Sequence, residues 1–283
     1  MVPRATRSDG CDTGALNRSE AARRVVLALI GVAIVVVALS LPPIAQDPSY
    51  HRFADQRTIF GVPNGLNVLS NIPFAIFGLA GVLALARGSI AERAFVARWE
   101  RWAYLVLFAG SALTAVGSSY YHLAPDNARL FWDRLPMTLG FMGLLTAILA
   151  ERMSPRFARV VFLPIVVLGA ASVVYWDLGE ARGVGDLRPY AAVQFGSLLL
   201  VLALLVFFPS RLPGDAFLWS AAISYGLAKL FEVADRPVYE LGGIVSGHTL
   251  KHLFAALSVL FVLLLLYSRS RSQGWRRGRD SNP

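Results

Sequence analysis

The sequence predicts an all-α polytopic membrane protein: a seven-helix bundle with an additional N-terminal transmembrane helix, eight spans in all. Three observations predict it. Of the 283 residues, 55% are hydrophobic and only 16% are charged, too apolar a balance for a water-soluble domain. The apolar residues fall in eight runs of bilayer-spanning length. Of the 27 basic residues, 25 are arginines clustered between those runs. For a chain of net charge +9, that pattern reads as topology signalling and argues against nucleic acid as a partner.

Residues 1–24 are polar and carry five arginines, the composition of a cytoplasmic tail that is disordered or lies on the membrane surface. Residues 25–43 form the additional span, the run Val25–Leu41 closed by Pro42-Pro43. It reads as an uncleaved helix, because the polar lead is long for a signal peptide and the run exceeds an h-region. Residues 44–65 are an exterior loop. The seven-helix domain occupies 66–267, with runs at Leu66–Ala86, Trp99–Tyr121, Phe131–Ala150, Val160–Trp176, Tyr190–Phe208, Ala216–Val233 and Gly247–Tyr267, and a basic cytoplasmic tail follows at 268–283. Short connections rich in Pro, Gly and charge separate the runs, such as PDN at 125–127 and GEARGVGD at 179–186. Cys11 is the single cysteine, so an intrachain disulfide and a multi-cysteine zinc site are both excluded.

Eight spans place both termini on one side. That side collects 18 arginines and the other 7, so the termini are expected in the cytoplasm of a bacterial inner membrane. His122, Asp133 and His248 then share the exterior end of the helices.

The stretch Gly117 to Pro136, GSSYYHLAPDNARLFWDRLP, sets Ser118, Ser119, His122 and Asp133 around one short hairpin. Downstream, SGHTLKH carries His248 and His252 four residues apart, a spacing that stacks two imidazoles on one helix face. Together with His122 they supply three neutral nitrogens, which leave a tetrahedral zinc one open position. Plainer readings stand beside this one. A histidine at a membrane helix end is commonly interfacial, a serine there bonds a carbonyl one turn back, and Asp133 can pair with Arg134. Pro136 frees the Trp132 carbonyl and bends its helix. Lys229, Glu232 and Asp235 read as mutual ion pairs, with Lys251 free to join Glu232, Asp235 or a lipid phosphate. A proton relay through these groups would need charges beyond the exterior half, and the runs hold none there. Tyr120, Tyr121, Trp132 and Trp176 read as an interfacial aromatic belt.

S-x-x-x-H at one helix end, an aspartate 11 residues after the histidine, and H-x-x-x-H on the last helix together resemble the alkaline ceramidase family. That family lies within a superfamily of seven-helix membrane hydrolases that includes the progestin and adipoQ receptors. SNIPF at 70–74, SSYYH…DRLPM and SGHTLKH carry the resemblance, which covers roughly Asn64 to Tyr267. It implies a Zn2+-dependent amidase that cleaves the N-acyl bond of ceramide-like lipids to a long-chain base and a fatty acid. It implies His122, His248 and His252 as zinc ligands, Ser118 as support for the developing oxyanion, and Asp133 as the group that holds or deprotonates the water. The same superfamily implies an alternative, a zinc-stabilised lipid receptor without turnover. Eukaryotic ceramidases of this kind carry an acidic calcium cluster before the first core helix. Here that region reads FADQRTIFGVPNGLNVLSN with Asp55 as its only carboxylate, so no calcium site is expected.

Overall fold

The computed structural model describes residues 10–280, and their side chains over 19–271. The ends of both tails, residues 1–9 and 281–283, and the Cys11 side chain lie outside the described residues. Helices account for the fold: α1 (Gly10–Ser40), α2 (Gly65–Leu69), α3 (Ile72–Ala86), α4 (Glu100–Leu123), α5 (Asn127–Arg152), α6 (Pro155–Glu180), α7 (Arg188–Ala191), α8 (Ser197–Phe207), α9 (Asp215–Val233), α10 (Asp235–Gly242) and α11 (Gly247–Asp280). Among the described residues, seven stretches are long and apolar enough to cross a membrane: Ser19–Ser40, Gly65–Ala86, Glu100–Leu123, Asn127–Arg152, Pro155–Glu180, Arg188–Phe207 and Gly247–Arg271. The run expected at Ala216–Val233 forms α9 but is not one of them. Lys229 and Glu232 near its end dilute its apolar character.

Local chemistry sets the boundaries. The Asp126 carboxylate caps α5 by accepting from Arg129 N–H at 2.7 Å, and Ser154 caps α6 with Pro155 in its first turn. The turn between α4 and α5 is therefore tight, and it returns the chain so that His122 and Asp133 lie at one end of the bundle. α1 begins well before the expected Val25, supported on its polar flank by an Arg24–Glu20 pair at 2.7 Å, four residues apart on one face. α11 likewise continues past Tyr267.

α4 packs most extensively on α5, followed by α11 on α9, α5 on α6 and α3 on α4. With α11 touching α3 and α8 touching α5, the helices α3, α4, α5, α8, α9 and α11 close a ring whose sparsest seam lies between α8 and α9. α6 flanks α5 from outside, and α1 leans on α8 and on the π-helical turn Ala192–Gly196 that precedes it. Inside the ring a cavity of about 160 Å³ is lined by Ser118, Asp133 and His252 and also by Val201, Leu218 and Val262.

One close approach positions the site. Pro136 has no N–H to give the Trp132 carbonyl, and α5 runs unbroken across it. The freed carbonyl lies where a side chain on Gly117 would stand, 1.9 Å from an ideal Cβ. Only glycine lets α4 and α5 meet there, one residue away from both Ser118 and Asp133.

Candidate metal centre

His122 sits in the last turn of α4, and His248 and His252 in the first two turns of α11. All three are buried. Their ring centroids lie 4.8–4.9 Å apart, and one ligand atom from each falls within 4.8 Å of the others, so the cluster could hold a metal ion. The Nε2 atoms of His122 and His248 face each other at 3.3 Å. The Ser70 hydroxyl donates to the Asn67 carbonyl at 3.0 Å, so its oxygen accepts from His252 Nδ1–H at 2.8 Å. That bond fixes the tautomer and leaves the Nε2 lone pair free for an ion. Asn67 is itself held, its Oδ1 accepting from the Thr249 hydroxyl at 2.9 Å.

The segment between α1 and α2 covers the cluster. The Phe53 ring stacks against His122 and His248, with centroids 4.6 and 4.5 Å away. Asp235 fastens this cover to α11, one carboxylate oxygen accepting from Ala54 N–H and the other from His248 N–H, both at 2.8 Å. Arg57 bridges the buried Asp55 carboxylate, at 2.8 Å, and the Ile244 carbonyl, at 2.7 Å. Its hydrogen bonds hold the Asp55 carboxyl below the usual carboxylate range. Asn64, at φ 48°, donates its amide to the His122 carbonyl at 2.9 Å. The fourth histidine, His51, stays out of the cluster and ties the cover to the α4–α5 turn. Its Nε2–H donates to Asn127 Oδ1 and its Nδ1 accepts from the Tyr121 hydroxyl, each at 2.9 Å.

Ser118 and Asp133 reach the cavity wall beside His252. Ser119 turns instead toward the Val68 carbonyl at 3.5 Å. The Asp133–Arg134 pair considered from sequence does not form. Arg134 points away, bonding Gln46 Oε1 at 2.6 Å and lying over the rings of Trp176 and Tyr190 at 4.5 and 4.9 Å. Trp176 and Tyr121 are accordingly buried core and not interfacial belt, whereas Tyr120 and Trp132 remain exposed.

The alternatives for the lysines also resolve. Lys251 pairs with Glu232 at 2.7 Å, Lys229 pairs with the same carboxylate, and Asp235 is occupied by backbone N–H groups. Sequence reasoning missed the contributions of Phe53, Asn67, Ser70 and Asp235. Ser70 lay within the SNIPF motif, so a signal existed for it; Phe53 had none. The described chain is a membrane protein with seven candidate spans and a buried three-histidine cluster; no family model and no curated protein matches it.

Proposed function

We propose that this protein is a zinc-dependent membrane amidase that hydrolyses the N-acyl bond of ceramide-like lipids to a long-chain base and a fatty acid, as the resemblance to alkaline ceramidases implies. The observation that carries the reading is the burial of three imidazoles at one point, with His252 sharing a cavity wall with Ser118 and Asp133. The donor set fits zinc. Bonds of about 2.0–2.1 Å in a tetrahedral site space two nitrogens by roughly 3.3 Å, and His122 and His248 stand at 3.3 Å. A zinc ion held by His122, His248 and His252 would polarise the amide carbonyl and make water a stronger acid.

The chain's own residues do the rest. The Ser118 hydroxyl donates toward the carbonyl oxygen as negative charge develops there. Asp133 accepts the proton from the attacking water and delivers it to the amide nitrogen as the C–N bond breaks. Water thus divides between the two products, its oxygen to the acyl carbon and its hydrogens to the acid and the amine. The apolar wall, with Leu144, Val201 and Val262, takes the acyl chain out of water.

The reading includes α9 as an eighth span, its Lys229 and Glu232 neutralised by pairing. It keeps the division into tail, added helix, loop and 66–267 catalytic bundle. The termini are cytoplasmic in a bacterial inner membrane, and the histidines lie near the exterior face. The test is product release from a panel of N-acyl lipids by the purified full-length protein. Free fatty acid and free amine should appear in equal amounts and be abolished by Asp133→Asn, which retains the metal ligands. Metal and lipid retained without any product would favour the receptor alternative.

A further inference from the structure

We propose that Lys229 and Lys251 form an anion-binding subsite within the cavity, so that the lipid taken there carries a carboxylate or phosphate group in addition to its N-acyl chain. The N-acyl part rests on the amidase reading above; the anion part rests on the lysines alone.

Two ammonium groups share one carboxylate. Glu232 accepts from Lys229 through one oxygen and pairs with Lys251 through the other at 2.7 Å, and it accepts a third bond from the Tyr50 hydroxyl at 3.2 Å. Its capacity is largely taken up. Each ammonium has three N–H donors, and Glu232 takes one from each. Lys229 Nζ also lies 5.3 Å from the centre of the Phe195 ring. Both lysines line the cavity, and each keeps two donors beyond the one given to Glu232. Lys251 and His252 are adjacent on α11 and both reach the same wall, which puts an anion bound there close to the amide being cleaved.

The charge balance points the same way. Among the described residues Asp133 is the one carboxylate that lines the cavity, and Glu232 stands behind the two lysines. The two lysines outnumber the one carboxylate they share, and among apolar helices that local excess favours a guest that brings negative charge. The hydroxyls of a neutral ceramide bring none. A carboxylate next to the amide nitrogen, as in an N-acylated amino acid, does, and so does a phosphate on an N-acylated headgroup.

The test is equilibrium binding of radiolabelled hexadecanoate to the full-length protein in neutral detergent, competed by hexadecyl phosphate and by hexadecanol. At least one of the two anions should bind roughly tenfold or more tightly than the alcohol, the scale of one charge-assisted hydrogen bond. A phosphate preference assigns the group to a phosphate-bearing headgroup, and a carboxylate preference to an acylated amino acid. Lys229→Gln with Lys251→Gln should abolish the preference and leave hexadecanol binding unchanged. Adding Glu232→Gln removes all three charges together, so no buried carboxylate is stranded, and should give the same result. Equal affinity for acid, phosphate and alcohol in the wild type, or a preference that survives the triple variant, would overturn the proposal.

Hydrolysis separates this proposal from the one it rests on. Cleavage of neutral ceramide in preference to both anionic N-acyl lipids would sink the subsite and keep the amidase. An anion preference in binding without cleavage of any N-acyl lipid would sink the amidase and keep the subsite.

Discussion

The two ends of the bundle both bury charged side chains, and they differ in how those charges are matched. At the end away from the histidines, Arg269 grips Glu151 through two hydrogen bonds of 2.9 and 3.0 Å. Arg152 bonds Asp215 at 2.7 Å and the Phe208 carbonyl at 2.9 Å, and Glu100 accepts from the N–H groups of Val96 and Ala97. None of these residues lines the cavity. At the histidine end, Asp133, Lys229, Lys251 and His252 all do. Burial alone therefore does not mark a site in this protein. Ionisable and ligand-bearing side chains gathered on a cavity wall do.

That contrast breaks most sharply at Glu151. Glu151→Gln removes the buried negative charge that faces Arg269 and should cost about 3–5 kcal/mol of stability, read as a large fall in unfolding midpoint in detergent. Metal content and the rate of the surviving folded protein should stay near wild type. A variant that folds normally but loses metal would mean that the two ends are not separable.

At the histidine end the signature reverses. Ser118→Ala should lower the hydrolysis rate on the order of 10²-fold or more with little change in melting temperature, since only one hydroxyl is removed. Ser119→Ala, whose hydroxyl makes one long bond to Val68, should run near normally. The opposite ranking would shift the assignment by one residue.

The smallest effect concerns the cover. Arg57 holds the folded-state pKa of Asp55 below its ordinary 3.8, so the Asp55–Arg57 contact stabilises the cover fully above that value. The contribution is lost as pH falls through the depressed folded value. Comparing wild type with Asp55→Asn by melting temperature across acid pH should show a constant wild-type advantage at neutral pH that shrinks only below the ordinary aspartate range. Arg57 is half exposed, so the advantage should be small. An advantage that grows on acidification would contradict the pairing.

Much of this was legible because helices encode their own periodicity. The apolar runs mark α3 to α6, α8, α9 and α11. The four-residue spacing of His248 and His252 fixes their common face, and the position of His122 at the end of an apolar run puts it at a helix end, where the structure joins it to them. What the chain does not encode locally is which distant element completes each pair. Ser70 reaches His252 across 182 residues of sequence, and Ala54 and His248 converge on Asp235 from opposite sides of it. No period in the sequence announces such contacts. The Asp133–Arg134 pair that the sequence also allowed fails for a similar reason. The neighbour of Arg134 in sequence is a carboxylate, but consecutive residues on a helix diverge by about 100°, and the guanidinium follows α5 toward Trp176.

The central claim is that His122, His248 and His252 hold one zinc ion, and the zinc-to-protein ratio of purified protein tests it most directly. Wild type should carry about one zinc per chain, and His252→Ala should fall far below that, because a site left with two imidazoles binds weakly. A His252→Ala protein that is folded and still carries about one zinc per chain would contradict the account at its centre.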